Sequence, residues 1–167
     1  MYENDSIYIT VDDHIKGSIV IEGKKYSNLN VGHMAIVHNG RRCVCGRKGC
    51  FDVYASIPGL IGITKDFMTA NKESLMWQLA PDVGAVDAHT AFECARKGDK
   101  AGKAALDLYI NYLACGLCNL VNIFQPEKIF INGGIRDKGD ILLAPLREIV
   151  RRTNFYRGDN QTEICYA

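Results

Sequence analysis

Short runs of β-branched and aromatic side chains dominate the N-terminal part of the chain and predict strands. One run covers residues 7–11, and a second covers 18–21 after the polar sequence Asp12-Asp13-His14. The sequence Glu22-Gly23-Lys24-Lys25 is typical of a hairpin turn and leads into a short third strand at Tyr26. The pattern therefore predicts an antiparallel meander at the start of the chain.

Helical periodicity takes over after Pro58-Gly59. The spacing of apolar residues predicts a helix over 66–79, a helix over 87–97 with Asp87 as N-cap, and a helix over 100–124. The last of these is the strongest, because its apolar residues recur at three- and four-residue steps and form one stripe. The stripe consists of Leu106, Ile110, Leu113, Leu117, Leu120 and Phe124.

Strand and helix alternate again in the C-terminal part. A buried-type strand is predicted at 128–132, a helix at 142–152 and a strand at 162–166. The pair Gly133-Gly134 could approach a nucleotide or a sugar closely, and a tight left-handed turn explains it equally well. The pattern is that of a single α/β domain over residues 1–167, and it stops within its last strand.

Composition and charge narrow the class of protein. Apolar residues make up 47% of the chain and charged residues 23%, as in soluble globular domains with a core. The formal charge of +1 argues against a dedicated nucleic-acid surface. Unbroken apolar runs fall far short of the ~20 residues that cross a bilayer, and no secretory signal opens the chain. We therefore expect a cytoplasmic protein without a membrane partner.

Three of the seven cysteines form a cluster. Cys43, Cys45 and Cys50 crowd into eight residues, and His33 lies upstream of them. All four lie in the segment 28–56, whose length is unusual for a loop unless it is functional or stapled. One imidazole and three thiolates match the ligands of a closed, tetrahedral, structural zinc site. Reduced thiols beside an incidental histidine are the alternative, and the close spacing favours zinc.

The long helix has a second side that is less polar than a solvated face. Tyr109, Tyr112, Cys115 and Cys118 lie there. An interface between copies of the chain and burial within the domain both explain this side, and both remain open. Redox-active Cys-x-x-Cys pairs lie at helix N-termini, so packing explains the cysteine pair better.

Three stretches of the chain resemble one protein family. The sequence Gly32-His33-Met34 and the Cys-x-Cys-Gly-x-x-Gly-Cys run at 43–50, with Asp52 behind it, resemble the signature of the ROK family of repressors and sugar kinases. Residues 15–23 are similar to the family's first hairpin, and 124–134 to its Pro-Glu-x-Ile…Gly-Gly segment. The resemblance is closest to the family's xylose and N-acetylglucosamine repressors.

The resemblance implies a fold and a ligand site. The fold would be the C-terminal lobe of an actin-like, RNase H-like, hexokinase-type ATPase fold, with a zinc-stapled loop. The N-terminal lobe and any winged helix-turn-helix domain would be absent from this chain. The sugar would be contacted by Asn30, His33 and Asp52, although the family has glutamates where Asn30 and Asp52 stand. Both replacements still accept hydrogen bonds from hydroxyls, and loop capping is the alternative role for them.

One departure from the family bears on activity. The sequence Asp12-Asp13-His14-Ile15-Lys16 stands where the family's kinases have a Gly-Thr-Gly-Ile-Gly phosphate loop. Glycine N–H groups would cradle phosphates, whereas two carboxylates repel them. The segment with the kinases' catalytic aspartate is also missing, so we assign no catalytic residue. His14 lies beside carboxylates, and the sequence gives it no role.

Three functions remain in competition. The favoured one is the sugar-effector-binding and oligomerisation domain of a ROK-type transcriptional repressor controlling carbohydrate metabolism. Its partners would be a sugar or sugar-phosphate effector and a second copy, with DNA contacted only through a domain absent from this chain. The alternative is a fragment of a ROK sugar kinase that phosphorylates a hexose or N-acetylhexosamine with ATP. The third is a metal-stapled interaction module without a small ligand.

Overall fold

A computed structural model describes residues 5–156 and 162–167 of the protein. In these residues five strands form one mixed sheet: β1 (Ser6–Val11), β2 (Ile15–Ile21), β3 (Lys24–Leu29), β4 (Lys128–Gly133) and β5 (Glu163–Tyr166). Their spatial order is β3-β2-β1-β4-β5. Strands β1, β2 and β3 are antiparallel neighbours, and β4 and β5 run parallel to β1. The predicted strands are confirmed; the second begins earlier than expected, at Ile15, and the third is longer than expected.

Alternation along the strands separates the two faces of the sheet. Ile7 on β1 pairs with Ile19 on β2 and Ile129 on β4, and all three are buried in the core. Their neighbours Tyr8 and Phe130 point to the opposite face, where their rings stack with centroids 4.8 Å apart. The core therefore lies between the isoleucine face and the helices that pack on it.

In the described part of the chain six helices follow the meander, and the single helix predicted over 66–79 is wrong. They are α1 (Asp52–Ala55), α2 (Ile57–Ala70), α3 (Met76–Leu79), α4 (Thr90–Arg96), α5 (Lys100–Phe124) and α6 (Asp140–Thr153). The single helix predicted over 66–79 is two helices, because the chain between them is anchored elsewhere. The Ser74 hydroxyl and the Leu75 N–H both donate to the carboxylate of Asp99. Because Ser74 and Leu75 are bound to Asp99, α2 ends at Ala70 and does not continue into α3.

The starts of α2 and α4 also differ from the prediction. Ser56 caps α2 by accepting a hydrogen bond from the N–H of Gly59, so Pro58 lies in the first turn, where its missing N–H is not needed. Pro58-Gly59 therefore belongs to the helix that it was expected to precede. Asp87 accepts hydrogen bonds from the N–H groups of His89 and Thr90, as a capping residue does, although α4 begins only at Thr90.

Helix α5 runs through the centre of the core. Its bounds match the prediction, Asp99 caps it, and Gln125 ends it in the left-handed conformation. It is long and apolar enough to cross a membrane, but 61% of its most apolar window is buried inside the fold, as in the core helix of a globular domain.

The second side of α5 is largely covered by the chain itself. Tyr109 is fully buried and donates its hydroxyl to the carbonyl of Ala55 at 3.0 Å. Cys118 is buried against the hydroxyl of Thr153, while Cys115 is exposed. This arrangement supports burial within the domain over an interface at this helix, the two explanations that the sequence left open.

Candidate functional site

Backbone hydrogen bonds give the cysteine loop, residues 34–51, a defined shape. The N–H of Gly49 donates to the carbonyl of Arg41 at 2.8 Å, and the N–H of Cys43 donates to the carbonyl of Arg47 at 2.9 Å. Gly49 has a φ of +79°, and a Cβ there would lie 1.6 Å from the carbonyl oxygen of Val37. Glycine is therefore required at this position for the loop to fold back on itself.

The loop brings the four predicted metal ligands together. His33, Cys43, Cys45 and Cys50 each offer one ligand atom, and these atoms all lie within 4.8 Å of one another. The Sγ of Cys43 is 3.6 Å from Nδ1 of His33, and the Sγ atoms of Cys45 and Cys50 are 3.5 Å apart. With Zn–S bonds of about 2.3 Å, the edges of a tetrahedral site measure about 3.7 Å. The cluster can therefore hold a metal ion, and its donor set and spacing fit zinc.

The two ends of the cluster differ electrostatically. Burial raises the pKa of the Cys50 thiol to about 12, and hydrogen bonds with Cys45 and Cys43 add to this. At Cys45, which is exposed, a hydrogen bond with the backbone of Arg47 lowers the pKa to about 7. A bound cation would deprotonate coordinating thiols. The Arg47 guanidinium also donates to the carbonyl of His33, which ties the imidazole-bearing turn to the loop.

Aromatic side chains dock the cysteine loop onto the core. Phe51 is fully buried against Gly116 of α5, where a Cβ would come within 2.3 Å of the phenyl ring. Just beyond the loop, the rings of Tyr54 and Tyr112 pack with centroids 4.5 Å apart. The close contact at Gly116 agrees with the packing explanation of the Cys-x-x-Cys segment.

The residues predicted to contact a sugar lie near this loop. Asn30 precedes a 3₁₀ turn, Val31–His33, and its carbonyl accepts a hydrogen bond from the N–H of His33. Asp52 is the first residue of α1 and is only 4% exposed. A Cβ built on Gly32 would lie 3.3 Å from Oδ1 of Asp52, so Asp52 lies directly against the His33 turn.

Asn30 also lines a groove of about 460 Å³ between β2 and β3. Ile15 and Lys16 form one wall of the groove, and Asn28 lies on the other. The structure thus brings the His33 turn and Asp52 together and places Asn30 at the rim of an adjacent depression. Their role in sugar binding remains a prediction.

Sequence reasoning missed the contacts that two side chains of the β1–β2 turn make. His14 Nδ1 lies 2.9 Å from Oδ2 of Asp52, across 38 residues of sequence. Asp12 accepts a hydrogen bond from the N–H of Gly134 at 2.9 Å, and its carbonyl accepts another from the N–H of Ile57. No local pattern reveals such distant pairs.

The Gly133-Gly134 pair forms a left-handed turn at the end of β4. Gly133 has a φ of +90°, and a Cβ there would lie 2.4 Å from the carbonyl oxygen of Val11. The close approach at this turn is therefore made by the chain's own β1 and Asp12. A nucleotide-related role for the pair remains a prediction.

Comparisons with known proteins agree with this arrangement. Residues 2–165 match the model of the ROK family. A glucokinase from Thermotoga maritima is 31% identical over 149 residues, which cover 86% of this chain and 47% of the glucokinase. A xylose repressor from Caldicellulosiruptor bescii is 26% identical over 159 residues, covering 91% of this chain and 39% of the repressor.

A solved structure extends the comparison to three dimensions. The structure of a ROK family glucokinase from Streptomyces griseus, in complex with glucose and AMPPNP, matches with a TM-score of 0.89 at 26% identity. The match covers 100% of this chain and 56% of that one, and the chain spans about half the length, or less, of the curated relatives it matches. The mixed sheet and this match support the expected actin-like ATPase-type fold. The protein belongs to the ROK family, whose members similar to it include both sugar kinases and repressors.

Proposed function

We propose that this chain is the sugar-effector-binding and oligomerisation domain of a ROK-type transcriptional repressor that controls carbohydrate metabolism. A xylose repressor is similar to it over 91% of this chain. In this proposal residues 1–167 form the C-terminal lobe, and the N-terminal lobe and a DNA-binding winged helix lie outside them. The protein works in the cytoplasm, responds to a sugar or sugar phosphate, and has no membrane partner.

The observation that carries the proposal is the fixed negative charge in the β1–β2 turn. The carboxylate of Asp12 takes the N–H of Gly134, and Asp13 is exposed beside it. Phosphoryl transfer depends on N–H groups and cations that neutralise the phosphates. In the β1–β2 turn Asp12 and Asp13 place carboxylates instead, and the carboxylate of Asp12 already accepts the hydrogen bond from the N–H of Gly134. The turn is therefore unsuited to binding phosphates. The geometry therefore favours ligand binding without phosphorylation.

A structural zinc ion completes the proposed domain. His33, Cys43, Cys45 and Cys50 would hold it, and their fit is described above. The ion would cross-link the cysteine loop to the His33 turn. Since the chain fills all four positions, none remains for a reacting water.

The sugar would lie beside that loop, against Asn30, His33 and Asp52. When Nδ1 of His33 binds the metal, Nε2 carries the proton and can donate to a hydroxyl. Asn30 supplies an amide oxygen that accepts from hydroxyls, and the carboxylate of Asp52 lies against the His33 turn. A pocket of this kind selects a polyhydroxylated ligand, which agrees with the carbohydrate-related names of the relatives.

A second function is favoured by a separate observation. Glucokinases from Thermotoga maritima and Halalkalibacterium halodurans are 31% and 33% identical to the chain, against 26% for the xylose repressor described above. A fragment of a sugar kinase acting on a hexose or N-acetylhexosamine therefore remains the alternative.

Regulation of DNA binding tests the proposal directly. The natural polypeptide that contains this sequence would be mixed with DNA from upstream of its neighbouring carbohydrate genes in a gel-shift assay. We expect a retarded complex that one monosaccharide among D-glucose, D-xylose and N-acetyl-D-glucosamine weakens. Failure to retard that DNA, together with ATP-dependent phosphorylation of any of these sugars, would establish the kinase alternative.

A further inference from the structure

The pairing of His14 with Asp52 changes which group a ligand meets at this site. The carboxylate of Asp52 accepts hydrogen bonds at both oxygens, from the N–H of Ile15 at 2.6 Å and from Nδ1 of His14 at 2.9 Å. The Asp52 side chain is 6% exposed and the His14 side chain 57% exposed. The imidazole is therefore the accessible member of the pair, and the carboxylate lies beneath it.

The pairing also fixes which nitrogen of His14 faces a ligand. An ionised carboxylate only accepts hydrogen bonds, so Nδ1 of His14 must carry the proton. In the neutral ring Nε2 is then an acceptor, and Nε2 is the nitrogen that remains for a ligand. Asp52 thus holds His14 in one tautomer and one orientation, as a buried acceptor does for a functional histidine.

The location of the pair connects it to the predicted sugar residues. Ile15, whose N–H binds Asp52, also lines the groove that contains Asn30. The same oxygen of Asp52, Oδ1, lies against Gly32, next to His33. The other oxygen, Oδ2, anchors the His14 imidazole close to these residues, although His14 comes from a different turn of the chain.

We propose that His14 is a specificity-determining residue of the sugar site, with Nε2 accepting a hydrogen bond from a hydroxyl of a monosaccharide and Asp52 positioning the ring. This inference rests on the proposed sugar-binding function. In this proposal the sugar contacts the exposed imidazole of His14 and not the buried carboxylate of Asp52. An acceptor nitrogen favours a ligand with a hydroxyl at that point over the corresponding deoxy sugar.

Calorimetric titration of the protein with D-glucose, D-xylose and N-acetyl-D-glucosamine tests the proposal. For whichever sugar binds, we expect His14→Ala to weaken binding about tenfold or more, the effect of a lost ligand hydrogen bond. His14→Gln, which keeps an acceptor, should recover part of the affinity. His38→Gln is the matched control, because His38 is exposed and its side chain contacts the neighbouring Asn39. This variant should bind the sugar as the unaltered protein does.

A double-mutant cycle separates positioning from mere structural support. Asp52→Asn should weaken binding in the unaltered protein and change it less than about twofold in the His14→Ala background. ¹⁵N NMR of the imidazole should show the proton on Nδ1 in the unaltered protein and a redistribution in Asp52→Asn. Circular dichroism and metal content, unchanged in each variant, confirm that the fold is retained.

The possible outcomes distinguish the two proposals. If a sugar binds and His14→Ala binds it equally well, the inference about His14 is wrong and the sugar-binding function stands. If none of the three sugars binds the unaltered protein, both are wrong. Equal losses from Asp52→Asn in the two backgrounds would show that Asp52 acts independently of His14 and would overturn its positioning role.

Discussion

The carboxylate of Asp12 accepts a hydrogen bond from the N–H of Gly134 at 2.9 Å and so joins the β1–β2 turn to the end of β4. The same N–H also donates to the carbonyl of Val11. Two chain segments separated by 122 residues are thus held together by the side chain of Asp12.

Removing this carboxylate tests how much its hydrogen bond with Gly134 contributes to the stability of the fold. Asp12→Ala should lower the free energy of unfolding by about 0.5–1 kcal/mol, because the N–H of Gly134 keeps its second acceptor. Urea unfolding measures the change. Asp13→Ala, at the exposed neighbouring position, should stay within about 0.5 kcal/mol of the unaltered protein. Equal effects of the two substitutions would show that the bond to Gly134 contributes nothing.

The metal centre leads to a second prediction. The unaltered protein should bind one zinc ion per chain, and Cys50→Ser should lose it because a buried ligand of the cluster is gone. Elemental analysis measures the metal content, and chelation should lower the unfolding temperature. Cys115→Ser, an exposed cysteine outside the cluster, should keep its zinc. A chain that folds normally with well under one zinc ion would contradict the structural role.

Two glycines of the cysteine loop form a matched pair. Gly49→Ala should destabilise the loop by more than about 3 kcal/mol, because its Cβ would lie 1.6 Å from the carbonyl oxygen of Val37. Gly46 has a similar φ of +86° and nothing within 4 Å of an added Cβ, so Gly46→Ala should cost only about 1–2 kcal/mol. Thermal unfolding and zinc retention measure both. Similar losses at the two positions would show that the backbone conformation, and not the contact with Val37, determines the effect.

Asp99 gives the fold a defined response to acid. Burial alone would raise its pKa, but hydrogen bonds from the N–H groups of Gly102 and Leu75 and from the Ser74 hydroxyl outweigh burial and lower it below the ordinary 3.8. A depressed pKa in the folded state means that ionised Asp99 stabilises the fold above about pH 4, and this contribution is lost as the pH falls through the folded-state pKa.

The corresponding substitution tests the sign of this effect. Asp99→Asn should lower the free energy of unfolding at pH 7 by about 1 kcal/mol, and the difference from the unaltered protein should shrink as the pH falls below about 4. Asp107→Asn, on the exposed face of α5, should differ by no more than about 0.5 kcal/mol at either pH. A difference for Asp99→Asn that does not change with pH would contradict the assigned cause.

Local patterns predicted the secondary structure where residues close in sequence determine it. The bounds of α5 follow from its apolar stripe, its Asp99 cap and the Pro126 beyond its end. The boundary between α2 and α3 does not, because Asp99 draws Ser74 and Leu75 out of the helix from 24 or 25 residues away. A contact of that kind leaves no trace in helical periodicity.

The candidate site shows the same division. The metal ligands were predictable because three of them are separated by only one to four residues and share soft donor atoms. The pairing of His14 with Asp52 was not, since it depends on how the β1–β2 turn meets α1 in the folded chain. The family resemblance predicted Asp52 as a sugar contact, a prediction that remains untested, and it assigned no role to His14.

We propose that this ROK domain binds a sugar without phosphorylating it. A coupled assay of ADP formation tests this most directly, with the natural polypeptide, ATP, magnesium and D-glucose, D-xylose or N-acetyl-D-glucosamine. Calorimetric titration of the same protein with each sugar and with AMPPNP accompanies it. We expect a sugar to bind, AMPPNP not to bind, and no ADP to form above the rate without sugar. Sugar-dependent ADP formation with a matching sugar phosphate would contradict it.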